Sequence, residues 1–465
     1  MNKYKIHLPL IATLSILFAS ASLAQTTNNP FPTPIPAETD VILVKAQNFA
    51  TIPNENNQAP RLMLLLDEPG TQRLFVSAMT GKLYSLSYDG TKVELYVDIN
   101  DPKWKVAVQS GGSERGLQSF AFHPQFNQAG TPGYGKFYTY TDTSNMQPKA
   151  DFVPEGSDRR SHDTVLLEWT AKNAAAATYD GGEPKELLRA AQPYFNHNGG
   201  QIAFNPLANS DSEDFGLLYI GLADGGSGGD PMGLAQNLKS GFGKILRINP
   251  VGDNSSNKKY GIPSSNPFVN NGEALPEIYA YGVRNPQRFS WDAKTGAMIL
   301  AEIGQNAVEE ISIITAGGNL GWNKWEGSYK FDRLVNPNNP RSESGLIYPI
   351  VEYDHDDPLL QRQTAITGVY VLRKSPVPQL NNLLIFGDNP TGEIFYVNAD
   401  KLPNGGQDSI RRILFSDGGK QKTLLQLINE NASASRADMR MGIGSDDRLY
   451  ILNKHDGIVR ALAPL

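Results

Sequence analysis

A pair of short apolar strands separated by a glycine-bearing loop recurs along this chain, and tyrosine or phenylalanine is common near the end of the first strand. About six copies are present at a spacing of roughly 65 to 85 residues, which fits propeller blades that carry loop insertions. A unit of about two to four strands cannot bury its own faces, so such units must stack around a common axis. The pattern therefore predicts an all-β fold in which the end of the axis is a natural funnel for a ligand. The copies contain the segments Leu74–Val76 and Gly81–Leu86, Phe137–Tyr140, Leu217–Ile220 and Lys244–Ile248, Ala297–Leu300 and Glu310–Ile313, Leu383–Phe386 and Glu393–Val397, and Arg448–Ile451 and Gly457–Arg460.

The length of 465 residues would allow about two or three ordinary domains, but one large propeller accounts for it equally well. Because the repeats run almost from end to end, the sequence predicts one propeller domain over residues 40–465. The 44 glycines and 31 prolines fit a turn-rich β architecture, and long amphipathic helical stretches are scarce.

The N-terminus has the pattern of a secretory signal peptide. Lys3 and Lys5 precede the apolar run Leu8–Ala19, and small residues lead up to Ala24. A membrane anchor is the alternative, but the run is well short of the ~20 residues that a span needs. We therefore expect cleavage after Ala24 and a periplasmic or secreted protein without a membrane span in its mature chain. The proline-rich residues 25–39 are predicted to form an extended tether.

Charge and cysteine content exclude several classes of function. The net charge of −6 gives no basic surface for nucleic acid. The chain has no cysteine, which excludes disulfides, iron–sulfur ligation, thiolate catalysis and covalently attached haem. Any electrons that the protein removes from a substrate must therefore leave through a separate acceptor.

Some familiar catalytic and nucleotide-binding patterns do not apply here. The run Gly225–Gly229 satisfies the G-x-S-x-G pattern of a nucleophile elbow, but that motif works on a strand–turn–helix and this loop joins two β segments. No G-x-G-x-x-G opens a helix, and no G-x-x-x-x-G-K-[ST] is present. Nicotinamide and nucleotide sites therefore lack a phosphate cradle.

Most of the histidines have a simple structural interpretation. His123 precedes a proline and fits a packed turn, while His162 and His455 lie among polar loop residues and are expected to be solvated. His355 lies in the acidic segment 353–357, which is either a site for a hard cation or an exposed loop.

His197 and Asp224 are the candidates for acid–base chemistry. His197 precedes the apolar segment 202–204 and is followed by glycines that let a ligand approach the backbone. An imidazole in such a place exchanges protons near neutral pH. Asp224 ends the next strand, where its carboxylate could orient the imidazole as in a base–orienter pair. A capped histidine and a turn aspartate are the structural alternatives.

Arg284 is the candidate for binding an oxyanion or a carboxylate. It lies before Asn285 and Pro286, at a proline-led turn, and it would supply a fixed cationic fork. A surface arginine without a ligand is the alternative.

A set of short motifs occurs in a fixed order along the chain and resembles the glucose/sorbosone dehydrogenase family, whose soluble members use pyrroloquinoline quinone (PQQ). The resemblance covers nearly the whole chain after the predicted signal peptide. It implies a six-bladed β-propeller of four-stranded antiparallel blades, in agreement with the repeats. The motifs are Glu114–Pro124, Asp224–Pro231, Gly243–Ile248, Gly282–Pro286, Gly304–Ile311, Gly317–Trp322 and Phe386–Gly392.

The resemblance also implies roles in catalysis. His197 matches the general base that removes the proton of the sugar's anomeric hydroxyl as hydride passes to the quinone, and Asp224 matches the carboxylate paired with it. Arg284 and Asn285 match residues that contact the quinone oxygens, and Arg284 would stabilise charge on the reduced cofactor.

Other positions match residues that hold the cofactor. The backbone carbonyls of Gly304 and Gln305 match those that bind the Ca²⁺ polarising PQQ, a role for oxygen ligands and a hard cation. Arg440 matches one of two arginines beside the cofactor.

The chain departs from the family pattern at three places around the quinone. The loop 388–392 lacks the lysine of PQQ-binding members, Asp438 stands where the second arginine is expected, and Glu114 replaces a glutamine. Loss of two charged hydrogen bonds at ~1.5–3 kcal/mol each would weaken binding by roughly 10²- to 10⁴-fold. Arg436 and Lys244 are the cations that could compensate.

The sequence thus supports an exported, PQQ- and Ca²⁺-dependent aldose dehydrogenase that passes electrons to an external acceptor. A non-catalytic propeller with a degenerate quinone site, binding a glycan or a protein, is the second hypothesis. A metal-dependent lactonase-type hydrolase is a third, but its acidic and amide ligands cannot be assembled from this sequence.

Overall fold

The computed structural model describes residues 28–156, 158–361 and 363–465, so the predicted signal peptide lies outside the described residues. The described chain is all β with almost no helix. Its strands are β1 (Ile42–Thr51), β2 (Leu62–Asp67), β3 (Arg73–Ala78), β4 (Lys82–Ser87), β5 (Val93–Asp98), β6 (Leu117–Phe122), β7 (Lys136–Thr143), β8 (His162–Thr170), β9 (Lys185–Gln192), β10 (Ile202–Phe204), β11 (Leu218–Leu222), β12 (Lys244–Ile248), β13 (Ile278–Tyr281), β14 (Pro286–Trp291), β15 (Met298–Glu302), β16 (Val308–Ile314), β17 (Trp325–Glu326), β18 (Tyr329–Asp332), β19 (Leu334–Asn336), β20 (Val351–Asp354), β21 (Ile366–Leu372), β22 (Leu383–Asp388), β23 (Ile394–Asn398), β24 (Arg411–Asp417), β25 (Lys420–Lys422), β26 (Arg440–Ile443), β27 (Leu449–Leu452) and β28 (Ile458–Ala463).

Helical structure is short. The α-helix α1 spans Leu424–Ile428 and begins with a capping box between Thr423 and Gln426. Single 3-10 turns occur at Pro102–Trp104, Pro358–Leu360 and Pro378–Leu380. No helix in the described ranges is long and apolar enough to cross a membrane.

The strands are organised in four-stranded antiparallel groups. Strands β6–β9, β10–β13, and β14–β16 with β20 form three separate sheets, and β17–β19 form a small sheet inserted before β20. The other strands follow one long path through β21–β24, through β1 with β28, β27 and β26, and through β2–β5. Parallel pairings of β24 with β1 and of β26 with β2 join these last groups. All-β structure with several four-stranded sheets is consistent with a β-propeller.

Strand β1 closes the chain on itself. It pairs in antiparallel register with β28, from Lys45 opposite Ala463 to Thr51 opposite Ile458. The first strand of the chain thereby completes the group formed by the last three, so both ends of the domain are tied into one sheet.

The first strands of the groups face one another in the middle of the molecule. Strand β2 contacts β6 and β26, β6 contacts β10, β14 contacts β11 and β21, and β21 contacts β26. Arg288 in β14 is buried and donates from Nη2 to the carbonyls of Met63 in β2 (3.0 Å) and Gln118 in β6 (3.3 Å). One side chain thus links three of the first strands, which requires that the groups surround a common centre.

Apolar residues fill the space between neighbouring groups. Strands β11 and β22 are almost entirely buried, because each sheet is covered by another sheet on both faces. Burial on two faces explains why the repeats appear in the sequence as short, nearly continuous apolar runs rather than as strict alternation.

The antiparallel order of each group brings two kinds of connection to one end of the molecule. These are the turn between the second and third strands, and the link from the fourth strand to the first strand of the next group. His197, between β9 and β10, lies in a link of the second kind, and Asp224, between β11 and β12, lies in a turn of the first kind. The fold therefore collects residues from distant parts of the sequence at this end.

Part of the predicted tether packs on the domain. Ile35 is buried, and its backbone N–H donates to Asp357 Oδ2 at 2.7 Å. The Thr33 carbonyl accepts from Gln407 Nε2 at 2.7 Å, and the Phe31 ring packs edge-on against Tyr329. Residues 31–35 contain no helix or strand, but they follow the surface of the domain instead of extending away from it.

Gly200 allows the link that carries His197 to approach the central strand β14. A Cβ atom at Gly200 would lie 2.1 Å from the carbonyl oxygen of Pro286 and 2.5 Å from that of Gln287. We expect Gly200→Ala to lower the free energy of unfolding by about 1–3 kcal/mol, because the backbone must shift to relieve the overlap. Chemical denaturation checks this. Gly272→Ala is the matched control, since nothing lies within 4 Å of a Cβ there; equal losses in both variants would contradict the close approach.

Candidate active site

A cavity of about 440 Å³ lies at the end where these connections meet. Its wall draws residues from the links before β6, β10, β14, β21 and β26 and from the turns after β15, β22 and β27. The lining residues are Ser113, Glu114, His197, Arg284, Asn285, Gln287, Ile303, Gly304, Gln305, His355, Gln363, Thr364, Ala365, Ile366, Asn389, Pro390, Arg436, Asp438, Arg440 and Lys454.

His197 and Asp224 form a hydrogen-bonded pair. The distance from His197 Nδ1 to Asp224 Oδ1 is 2.8 Å, and both side chains are buried. A carboxylate only accepts hydrogen bonds, so the proton of a neutral imidazole is on Nδ1 and the lone pair is on Nε2. Nε2 has no hydrogen-bond partner within the described part of the chain, and His197 lines the cavity. The arrangement presents a base to a ligand in the cavity.

Asp224 is itself held from two other sides. Its Oδ2 accepts a hydrogen bond from Trp322 Nε1 at 2.9 Å, and its Oδ1 also accepts from the backbone N–H of Gly226 at 3.0 Å. Trp322 comes from the long insertion between β16 and β20. These contacts fix the carboxylate before any ligand binds.

The backbone of His197 is also constrained. Its φ is +53°, in the left-handed region that non-glycine residues rarely adopt. Its N–H donates to Glu114 Oε2 at 2.8 Å, across a sequence separation of 83 residues. The glutamate at this position thus helps to hold the link that presents the imidazole.

Arg284 lies next to Asp224, whose backbone N–H donates to the Arg284 carbonyl at 2.8 Å. Its Nη1 donates to the Ile303 carbonyl at 2.9 Å, and its Nε and Nη2 donate to Gln305 Oε1 at 3.2 and 3.1 Å. The guanidinium also lies over the Trp322 ring, at 5.6 Å from the centroid. Its backbone N–H donates to Glu302, a buried carboxyl whose pKa is raised by burial. Asn285 is buried beside it and lines the cavity.

The cavity contains more positive than negative side chains. Arg284, Arg436, Arg440 and Lys454 face two carboxyl groups, Glu114 and Asp438. Burial lowers the pKa of Arg440 to about 10, and its Nε is buried with no hydrogen-bond partner among the residues that the structure describes. A buried guanidinium N–H without an acceptor is costly, and an anionic ligand would satisfy it.

Asp438 belongs to this cation cluster. It accepts hydrogen bonds from Arg436 Nε (3.2 Å) and from His455 Nε2 (3.1 Å). Burial raises the pKa of Asp438, but the hydrogen bond from His455 and the surrounding positive charges outweigh burial and bring the pKa well below its usual range. The carboxylate is therefore ionised and offsets part of the positive charge.

The two residues expected to offer carbonyls to calcium both line the cavity. Gly304 and Gln305 lie in the turn after β15, and among the described residues neither backbone carbonyl accepts a hydrogen bond. The described residues contain no group of three or more His, Asp or Glu side chains arranged to hold a metal ion. Two backbone carbonyls alone cannot complete a coordination shell of about 6–8 oxygens, so a calcium ion here would need further oxygens from a ligand or water.

The side chain of Glu326 accepts hydrogen bonds from the backbone of this turn. Its Oε1 accepts backbone N–H groups from four successive residues, at 2.9 Å for Gln305, 2.8 Å for Asn306, 2.8 Å for Ala307 and 3.1 Å for Val308. Glu326 is 1% exposed, and its Oε2 is buried with no hydrogen-bond partner in the described part of the chain. One carboxylate thus fixes the backbone that carries Gly304 and Gln305.

Some predictions about individual residues are wrong. His162 is buried, not solvated: its Nε2 lies 2.7 Å from Asn198 Nδ2, because β8 carries it into the sheet. Lys244 does not line the cavity, since its ammonium donates to the carbonyls of Leu234, Ala235 and Phe242. It cannot compensate for a missing cofactor contact.

The acidic segment around His355 is not simply exposed, and within the described ranges it is not part of a group of three or more His, Asp or Glu side chains that could hold a metal ion. His355 lines the cavity, and its Nε2 lies 2.6 Å from Glu309 Oε1. Burial lowers the pKa of His355, but the bond with Glu309 more than offsets this and raises it above the ordinary value. Asp357 accepts the N–H of Leu359 and caps the 3-10 turn. Its neighbour Asp354 accepts the N–H of Asp356.

Lys454 is the cavity cation that the sequence analysis did not single out, whereas Arg436, which was named as a cation that could compensate, does line the cavity. Lys454 lies in the turn between β27 and β28, the same kind of connection as the one that carries Asp224. The only signal for it was its place between the two strands of the last repeat copy.

The sequence model of the glucose/sorbosone dehydrogenase family matches residues 58–451. The chain belongs to this family. The predicted resemblance is therefore confirmed, and the match covers all of the residues that line the cavity except Lys454.

Two relatives illustrate the range of the family. The chain is 31% identical to HIPL1 protein of Arabidopsis thaliana over 333 residues, which cover 65% of this chain and 47% of that protein. It is 33% identical to human Hedgehog-interacting protein over 229 residues, which cover 48% of this chain and 29% of that protein. The chain thus spans about half the length of HIPL1, and less of Hedgehog-interacting protein.

A solved structure shares the fold. The PQQ-bound form of aldose sugar dehydrogenase from Streptomyces coelicolor aligns with 90% of this chain and 97% of its own, with a TM-score of 0.56 and 21% sequence identity. At this identity the likeness concerns the fold.

Proposed function

We propose that this protein is a sugar dehydrogenase that oxidises an aldose at its anomeric carbon, with PQQ and Ca²⁺ as cofactors. The observation that carries the proposal is the His197–Asp224 pair, whose free Nε2 faces a cavity with an excess of cations. We further propose that the domain is a six-bladed propeller over residues 40–465. The closed succession of contacts through β2, β6, the neighbouring strands β10 and β11, β14, β21 and β26 supports that number of blades.

The residues of the cavity fit PQQ, which carries three carboxylates. Arg284 and Asn285 would lie at the quinone oxygens. Arg440 has a buried Nε that needs an acceptor, which a carboxylate would supply. Calcium would be held between the carbonyls of Gly304 and Gln305 and oxygens of the cofactor. When bound, the quinone accepts a hydride from the anomeric carbon of the sugar.

The protein's own part in the reaction is to move one proton. His197 Nε2 takes the proton of the anomeric hydroxyl, so loss of this proton and of a hydride converts the sugar to a lactone. Asp224 keeps the Nδ1 proton in place and stabilises the imidazolium that forms. Arg284 stabilises negative charge that develops on the cofactor. An external acceptor then removes the electrons, as the absence of cysteine and haem attachment requires. We propose that this takes place outside the cytoplasm, after cleavage at Ala24.

The test uses the purified mature protein with PQQ, Ca²⁺ and a reducible dye. Titration with PQQ is expected to quench tryptophan fluorescence with saturation, and a panel of aldoses is expected to drive dye reduction. Chelation of Ca²⁺ should abolish turnover, and added Ca²⁺ should restore it. Absence of both PQQ binding and turnover would end the enzyme hypothesis.

Asp224 depends on Trp322, which gives a finer test of the pair. Trp322→Phe keeps an aromatic ring beside Arg284 but deletes the N–H that donates to Asp224 Oδ2. Since a hydrogen bond to a charged group is worth about 1.5–3 kcal/mol, we expect kcat to fall by about 10-fold or more. Steady-state kinetics beside a PQQ titration check this. An unchanged kcat would mean that Asp224 does not need this donor.

A binding protein on the same scaffold is the second candidate. It is favoured by Asp438 at the place of an expected arginine and by the absence of lysine from the loop 388–392. Under this hypothesis PQQ would not bind at micromolar concentration, while an immobilised glycan or protein ligand would. The PQQ titration separates the two candidates directly.

A further inference from the structure

Lys454 is a buried cation in the wall of the cavity, and the family pattern assigns it no role. It is 8% exposed and lies in the turn Asn453–Gly457, where Asn453 Oδ1 accepts the N–H groups of His455 (2.7 Å) and Asp456 (3.1 Å). These bonds fix the turn and therefore the point at which the lysine enters the cavity.

The ammonium of Lys454 has little compensation. It donates to the carbonyl of Ser113 at 2.7 Å, and no carboxylate forms an ion pair with it among the described residues. An ammonium has three donors, so acceptors are missing. Asp438, the acid of this cluster, is already engaged by Arg436 and His455.

The groups that face Lys454 are mostly positive. They are Arg440, Arg61, Arg436 and His455, with Asp438 and Glu114 as the carboxylates. Burial lowers the pKa of Lys454 well below its ordinary value, and the charge of Arg440 lowers it further. Such a group gains most from a ligand that brings negative charge, because the ligand replaces both the missing acceptors and the missing countercharge.

We propose that Lys454 and Arg440 together bind one carboxylate of the quinone cofactor, and that Lys454 replaces the lysine absent from the loop 388–392. This inference rests on the proposed function. The loop between β22 and β23 has no lysine, and Lys454 lies in the corresponding turn of the last group, between β27 and β28. Both turns reach the same cavity, since Asn389, Pro390 and Lys454 all line it.

A consequence of this contact is proton uptake. Burial lowers the pKa of Lys454 in the free protein, and an opposite charge raises it, so a bound carboxylate increases the protonated fraction of this lysine. Binding at a pH near neutrality is therefore expected to absorb protons from the buffer. Calorimetry in two buffers of different ionisation enthalpy measures this uptake without any turnover.

The experiment compares PQQ binding to the full mature protein and to three variants. Lys454→Met is expected to weaken PQQ binding by about 10- to 100-fold, as loss of a charged hydrogen bond predicts, and to reduce the proton uptake. Lys454→Arg keeps a cation and should retain most of the affinity. Lys82→Met is the matched control, because Lys82 is a partly buried lysine in β4 that lines neither this cavity nor its neighbour of about 420 Å³; its affinity should stay within about 3-fold of the wild-type value. Thermal melting of each apo variant verifies folding.

The outcomes are distinct. Wild-type binding with unchanged affinity and unchanged proton uptake in Lys454→Met would overturn this inference and leave the proposed function standing. Equal weakening in Lys454→Met and Lys82→Met would also overturn it, because the loss of one positive charge from the protein, and not the loss of a contact, would then explain the effect. If the wild-type protein binds no PQQ, the proposed function and this inference fail together.

Discussion

Replacing His197 with asparagine is expected to lower kcat for aldose oxidation by about 10²- to 10⁴-fold, the usual contribution of a positioned general base. The imidazole Nε2 faces the cavity while Nδ1 is held by Asp224 at 2.8 Å, so this one nitrogen is the acceptor for the substrate proton. Asparagine tolerates the φ of +53° at this position better than alanine does, so the backbone link should persist. Dye-coupled kinetics with saturating sugar give kcat.

A lower kcat in His197→Asn reports on proton removal only if this variant still binds PQQ. PQQ affinity is expected to stay within about 3-fold, because the proposed mechanism places His197 at the sugar and Arg284 at the quinone. Chemical rescue offers a sharper control: His197→Gly also suits the positive φ, and added imidazole should restore part of the lost activity. If His197→Asn keeps kcat within about tenfold of the wild-type value, another group removes the proton.

Individual strands of the fold could be predicted from the sequence, but the pairing of the first strand, β1, with the last strand, β28, could not. Predicted segments such as Leu383–Phe386 and Lys244–Ile248 fall within β22 and β12, because a strand covered on both faces must be apolar throughout. Strand β1 has no such signal, since its partners are decided by the far end of the chain. Pairing over more than 400 residues depends on global geometry, which a local pattern does not contain.

The residues of the site likewise divide into some that the sequence predicts and some that it does not. His197, Arg284 and Asn285 were predicted and do line one cavity, and Asp224 lies behind His197. Lys454 was missed because a lone lysine in a turn normally faces water. The topology supplies the missing signal: the turns between second and third strands that follow β15, β22 and β27 line the cavity, so polar residues in such turns are candidates.

The predictions for His162 and Lys244 failed because both side chains are buried. His162 looked solvated among polar neighbours, yet it begins β8 and contacts Asn198 inside the fold. Lys244 was predicted to be available to a ligand, yet its ammonium donates hydrogen bonds to three carbonyls of the loop that follows Asp224. His162 contacts a side chain of the link that carries His197, and Lys244 stabilises backbone carbonyls. Sequence reveals the polar group but not the partner that buries it.

The largest expected effect on stability follows from replacing Glu326 with alanine. Its Oε1 accepts four successive backbone N–H groups, and two of them, from Ala307 and Val308, are fully buried. A buried donor left without an acceptor costs about 1–3 kcal/mol, so these two predict a loss of about 2–6 kcal/mol in the free energy of unfolding. Denaturant unfolding measures it, and a loss below about 1 kcal/mol would contradict the role assigned to this carboxylate.

Glu326→Gln separates the hydrogen bonds from the charge. The amide oxygen of glutamine can take the place of Oε1, and the amide nitrogen would occupy the position of Oε2, which has no partner in the wild-type protein. The backbone N–H groups keep an acceptor, although a neutral one, so we expect a smaller loss than for alanine. Because the same turn carries Gly304 and Gln305, only Glu326→Ala should also weaken Ca²⁺-dependent activation by loosening the two carbonyls. If both variants lose Ca²⁺ response equally, the charge of Glu326, and not its hold on the backbone, is what the metal site requires.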